Sequence, residues 1–148
     1  MDVFEKLEEF YKQHSGLKGQ PATEEQIHEA EKILDAQFNK QYIHFIKQFG
    51  GAFGGISIHA FNNGSLIGKA TVIDLTLKFR KIYGETISKE LSESYVVSDD
   101  GSGNPILMDT AGKITIYYHD SGESELLYNS LQELLTLTMQ KIIGMCEK

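Results

Sequence analysis

Cysteine is nearly missing from this chain: Cys146, close to the C-terminus, stands alone. It can form no internal disulfide, which points to a reducing compartment. Long apolar runs are missing as well, and none approaches the roughly 20 residues needed to span a bilayer. The opening Met1-Asp2-Val3-Phe4-Glu5 lacks the basic and apolar regions of a signal peptide. Together these absences predict a cytoplasmic protein with no membrane partner. Basic charge is scarce: 14 lysines and arginines face 21 acids, a net charge of −7. Such a chain repels phosphate backbones, so direct nucleic-acid binding is not expected. The acids gather at the two ends, with nine acids and four bases over residues 1–35 and eight and three over residues 99–148. Solubility alone accounts for such charge. The same charge would also speed encounter with a basic protein.

Catalytic and metal-binding patterns are equally hard to find. His14, His28, His44, His59 and His119 are scattered singly, without the paired spacing of a zinc site. The glycines around Gly50-Gly51-Ala52-Phe53-Gly54-Gly55 lack the following Lys-Ser or Lys-Thr of a phosphate loop, so they read as a helix stop and a flexible turn. Asp99-Asp100-Gly101-Ser102-Gly103-Asn104 puts glycine at the third and fifth positions, where a calcium loop needs oxygen ligands. A tight hairpin is the better reading. His119-Asp120-Ser121 holds three catalytic residue types, but neighbours along a strand point to opposite faces and form no triad by themselves. Asp99 and Asp109 are a carboxylate pair able to meet across a hairpin, although acids at turns are usually just solvated. No catalytic, cofactor-binding or metal-binding residue is therefore predicted, and no enzyme.

What is present is an ordinary globular composition, 41% hydrophobic and 24% charged over 148 residues. That length fits one domain, residues 1–148, with a real core and no need of a metal staple. Val3, Phe4, Leu7, Phe10 and Tyr11 recur at helical spacing behind a capping Asp2. Thr23 and Gln26 form a capping box ahead of a stripe of Ile27, Ala30, Ile33 and Leu34. Asn39 caps a third helix with Tyr42, Ile43, Ile46 and Phe49 inward, ending at Gly50-Gly51. Ile56-Ser57-Ile58 reads as a short strand. Residues 71–83 fit a strand by alternation and a helix by the face Val72, Leu75, Phe79 and Ile82; length and the Thr71–Asp74 cap favour a helix.

Beyond residue 94 the pattern turns to strands. Tyr95–Ser98, Ile106–Met108, Ile114–His119 and Glu125–Tyr128 are β-rich, separated by glycine-bearing turns. A capping box at Ser130 and Glu133 opens a last helix with Leu131, Leu134, Leu135, Thr138 and Ile142 inward. The order predicts an α+β fold: an antiparallel β-meander flanked by N-terminal helices and a C-terminal helix.

Together these segments resemble the SUKH superfamily, bacterial immunity proteins related to a fungal cell-wall synthesis regulator. The resemblance runs over about residues 20–140. It is carried by Thr23–Glu31, by Gln41-Tyr42-Ile43-His44-Phe45-Ile46 running to Gly50-Gly51, by Tyr95–Ile106, by Tyr117-Tyr118-His119-Asp120 and by the helix after Ser130. One departure is Phe38-Asn39, where the family usually has Leu-Pro, but Asn39 is itself a strong cap. The resemblance implies a non-catalytic protein without cofactor that binds and neutralises a cognate toxin. Toxins paired with this family are often nucleases, and an acidic inhibitor fits a basic target. The alternative it implies is a regulatory adaptor in cell-wall synthesis or signalling. Asp99, Asp100, Asp120, Glu123 and Glu125 on the meander are the candidate partner-binding residues. Against them stands the view that these are ordinary turn residues and that the acidic face of the first two helices makes the contact.

Overall fold

Three capped helices begin the chain in a computed structural model that describes residues 2–146, with side chains described as far as Lys141. Asp2 caps α1 (Val3–Gln13) by accepting from the Glu5 amide at 2.9 Å. The predicted capping box opens α2 (Glu24–Leu34): Thr23 Oγ1 accepts from the Gln26 amide and Gln26 Oε1 from the Thr23 amide. Asn39 opens α3 (Lys40–Phe49) by accepting from the Gln41 amide. Each cap supplies an acceptor for an amide that has no partner inside the helix.

The inward faces differ from expectation in two places. Ile33 is 46% exposed, so the buried stripe of α2 is Ile27, Ala30 and Leu34. On α3 the sequence places Ile43 inward, but Phe45 is fully buried and Ile43 only half. Phe45 sits three residues after Tyr42 and four before Phe49, which keeps it on their face. Gly50 ends α3 at φ 64°, and a side chain there would collide with the Gln20 carbonyl.

The glycine-rich stretch after α3 holds more order than a flexible turn. Ala52–Phe53 (β1) pairs antiparallel with Ser57–Ile58 (β2). The Tyr11 hydroxyl donates to the Phe53 carbonyl at 2.9 Å. Residues 71–83 are a helix, α4 (Val72–Tyr83), with the Thr71–Asp74 capping box complete. Its inward residues are Val72, Thr76 and Phe79; the expected Ile82 is 56% exposed. A short helix the sequence did not signal, α5 (Lys89–Ser92), follows.

Strands β3 (Tyr95–Asp99), β4 (Pro105–Met108), β5 (Ile114–Tyr118) and β6 (Glu123–Tyr128) form an antiparallel meander in that order. β6 starts two residues earlier than predicted, and β5 stops at Tyr118, one residue short of His119. The last helix, α6 (Leu131–Cys146), buries Leu131, Leu134, Leu135 and Met139, while Thr138 is half-buried. The expected inward Ile142 lies outside the described side chains. Ser130 Oγ accepts from the Glu133 amide, but Glu133 reaches back to the Asn129 amide, one residue beyond a true capping box.

Strand alternation divides the sheet between two cores. Tyr95, Val97, Ile106, Met108, Ile114 and Ile116 join the main core with α1, α2, α3 and α6. Val96, Leu107 and Tyr117 face the other way, against Phe79 of α4 and Leu91 of α5. Tyrosines stitch the main core: Tyr42 donates to the His59 carbonyl at 2.6 Å, and Tyr95 accepts from the Asn39 amide at 2.8 Å. The structure is thus α+β, as the sequence predicts.

Candidate partner-binding surface

An antiparallel meander must put its first and third turns at one end and its second at the other. The β3–β4 turn and the β5–β6 turn, which hold Asp99, Asp100, Asp120 and Glu123, therefore share one end of the sheet. Asp109 follows β4 and lies at the opposite end, so it does not meet Asp99 as a carboxylate pair.

The β3–β4 turn is built by its own acids. Asp99 Oδ1 accepts from the Gly101 amide at 2.7 Å. Asp100 accepts from the Ser102 amide at 2.8 Å, the Asn104 amide at 3.1 Å and the Asn104 side-chain amide at 2.8 Å. The Asn104 side chain, followed by the Ser102 amide, holds the Asp100 carboxyl below its ordinary pKa. Gly101 and Gly103, at φ 83° and 89°, take left-handed conformations that a side chain would strain. The hairpin reading holds here: both carboxylates spend oxygens on turn amides.

Asn104 also reaches across to the β5–β6 turn, where its Oδ1 accepts from the His119 amide at 3.0 Å. His119 Nε2 lies 3.2 Å from the Ser102 carbonyl, and because a carbonyl only accepts, that nitrogen carries the hydrogen. His119 Nδ1 is 3.2 Å from Asp120 Oδ1. Since β5 ends at Tyr118, this pair adopts turn geometry and meets, contrary to the opposite-face expectation. The serine does not complete a triad: Ser121 Oγ accepts from the Glu123 amide, and Nε2 is taken by Ser102. Among the described residues, no group of three or more His, Cys, Asp or Glu is placed to hold a metal.

Asp99, Asp100, Asp120, Glu123 and Glu125 are all exposed. Among the described residues, none of them is paired with a lysine or arginine. On the helical face Glu24 is paired to Lys47 and Glu9 to Lys12, while Glu5, Glu8, Glu25 and Glu29 have no such partner among the described residues. The Lys47 hydrogen bond and charge lower the Glu24 pKa.

The five acids do not form one flat patch. Glu123 and Glu125 lie in register with Tyr118 and Ile116, on the sheet face that carries the main core. Asp99 lies on the other side, where it lines an open groove of about 540 Å³ between α4 and the β3–β4 hairpin. Leu75, Phe79, Ile82, Tyr83, Val96 and Pro105 give that groove its apolar walls, and Lys78 a positive rim.

The family described as SUKH_5, SMI1-KNR4 cell-wall, matches residues 1–140. The chain belongs to the SUKH superfamily. The match takes in all six strands and every candidate acid. No curated protein is similar enough to match the chain. No described helix of this SUKH chain is long and apolar enough to cross a membrane.

Sequence reasoning missed two features of the SUKH surface. The groove residue Ile82 was assigned to the core because it continues a helical stripe, and only the position of β3 shows that the stripe overshoots it. Asn104 and His119 carry the tie between the turns, and no spacing rule links residues on different hairpins.

Proposed function

We propose that this SUKH protein is an immunity protein, binding and neutralising a cognate bacterial toxin in the cytoplasm without catalysis or cofactor. The observation that carries the reading is the SUKH match over residues 1–140. Its acidic character supports a basic partner, such as a nuclease, because unpaired surface acids attract a positive surface at long range and hasten encounter. The sheet end holding Asp99, Asp120 and Glu123, with Glu125 beside it, is the contact surface in this reading. Asp100 belongs to it as the residue that shapes the turn.

A second reading, a regulatory adaptor in cell-wall synthesis or signalling, is favoured by the cell-wall description of the matching family. The neighbouring gene and a pull-down from the source bacterium separate the two. A toxin gene next door, and protection of cells expressing that toxin, support immunity. Capture of wall-synthesis proteins with no protection supports the adaptor. Reversing Asp99, Asp120, Glu123 and Glu125 to lysine, in a variant shown to fold, tests the surface. If that variant protects as well as the parent, the contact lies elsewhere.

A further inference from the structure

The meander has two outer edges, and the structure treats them differently. β3 is covered. Its Val97 carbonyl accepts from the His59 amide at 2.8 Å, and its Val96 amide donates to Thr76 Oγ1 of α4 at 2.9 Å. Arg80 donates to the carbonyl of Ser94, just before the strand. β6 is open. Among the described residues, only β5 hydrogen-bonds to the backbone from Ser124 to Tyr128. Glu123, Ser124, Glu125 and Leu126 are all exposed, with Leu126 at 50%. An uncovered strand edge of this kind presents a row of amides and carbonyls ready to pair with another strand.

We propose that β6 is a docking edge that adds one extended, basic strand of a partner protein to the sheet. Charge sets the partner's character. From Ile114 to Gln140 the chain has four acids and no lysine or arginine. Glu123 and Glu125 lie on one face of β6, and Ser124 and Leu126, in register with Tyr117 and Thr115, lie on the other. A strand that alternates basic with apolar residues matches both faces at once. Basic side chains meet the two glutamates, and apolar ones cover Leu126 beside the half-buried Thr115. A second copy of this chain is a poor occupant, because pairing the exposed starts of two β6 strands, centred on Ser124 or Glu125, sets glutamates against glutamates. The inference deepens the toxin-binding reading by naming the mode of contact, and it rests on that reading only for the natural partner.

The test needs no toxin, so its failure is distinct from failure of the proposed function. The probe is a capped decapeptide alternating lysine and valine, added to the full chain at low ionic strength, with amide hydrogen exchange followed by mass spectrometry. Two control peptides are an isomer with all lysines in one half and an alternating glutamate–valine peptide. The alternating basic peptide is expected to slow exchange across Glu123–Tyr128 by about tenfold or more, while both controls leave it unchanged. In Glu123→Lys/Glu125→Lys, whose substitutions are exposed, the preference should pass to the glutamate–valine peptide. Three results overturn the proposal. They are slowing confined to α1 and α2, equal slowing by the blocked isomer, and no slowing at a saturating concentration of the probe.

Discussion

Asn104 Oδ1 accepts from the His119 amide at 3.0 Å, a hydrogen bond that ties together two hairpin turns across 15 residues of sequence. The same side chain donates to Asp100, so a single asparagine organises one turn and ties the other to it. The acids of both turns therefore sit on a braced end of the sheet and not on two independent loops. Rigid presentation reduces the ordering cost of binding.

Asn104→Ala should loosen both turns at once. Two hydrogen bonds vanish and the His119 amide loses its acceptor, a change on the order of 1–2 kcal/mol. Amide exchange should speed up in residues 100–104 and again around His119, with β4 little affected. Faster exchange in the first turn alone would show that the tie contributes nothing.

Asp100 should act on stability as acid is added. Its native pKa lies below the ordinary value because Asn104 and the Ser102 amide favour the carboxylate. The unfolded state then takes up the proton first. The contribution is full above the ordinary aspartate range and fades as pH falls through the lowered native pKa. Because Asp100 is exposed, the effect is small, well under about 1 kcal/mol. Asp100→Ala removes the turn hydrogen bonds as well as the charge, so the variant should be less stable than the parent at neutral pH, and the gap should narrow as pH falls through the native pKa.

At high pH the buried tyrosines set the limit. Burial raises the Tyr42 and Tyr95 phenols well above the ordinary range, and Tyr11 likewise. A raised native pKa means that the unfolded state ionises first, so stability is intact below the ordinary phenol pKa and falls as pH climbs beyond it. Phenolate absorbance should show these groups ionising together with unfolding. Tyr42→Phe should leave unchanged the phenolate signal gained before unfolding. Loss of part of that early signal would place Tyr42 in contact with solvent.

Phe49→Ala tests the main core. Phe49 is 3% exposed, and its ring lies 4.9 Å from Tyr11 and 5.3 Å from Phe45. Truncation leaves a cavity where three aromatic rings meet and should cost about 3–5 kcal/mol. A small shift in the denaturation midpoint would mean that α1 and α6 close over the gap.

Much of the fold was legible because its signals are local. Caps at Asp2, Thr23, Asn39 and Thr71 sit within a turn of the amides they satisfy, and all four stand where the sequence places them. Strand identity in residues 95–128 followed from β-branched and aromatic runs between glycines. What escaped depends on distant neighbours. Ile33 and Ile82 continue helical stripes, yet in the folded chain they stand exposed at 46% and 56%. β1 was hidden because two residues carry no periodicity of their own. The candidate acids were legible as exposed turn residues, but their distribution over two sheet faces needed the register of β5 and β6.

Thr76 shows most directly how α4 is locked to the sheet, and it gives the sharpest structural prediction. The side chain is fully buried and bonds in both directions: its hydroxyl donates to the Val72 carbonyl at 2.7 Å and accepts from the Val96 amide at 2.9 Å. The Val96 amide points out of the β3 edge, and without Thr76 it would be buried with no acceptor. Thr76→Val keeps the shape and apolar packing but removes that acceptor. The orphaned amide should cost about 1–3 kcal/mol. Thr76→Ser keeps the hydroxyl and loses only a methyl group, so it should fall well short of the valine variant. Amide exchange at Val96 should speed up in Thr76→Val and stay slow in Thr76→Ser. Equal stability of the two variants would mean that packing, not the hydrogen bond, holds α4 against β3.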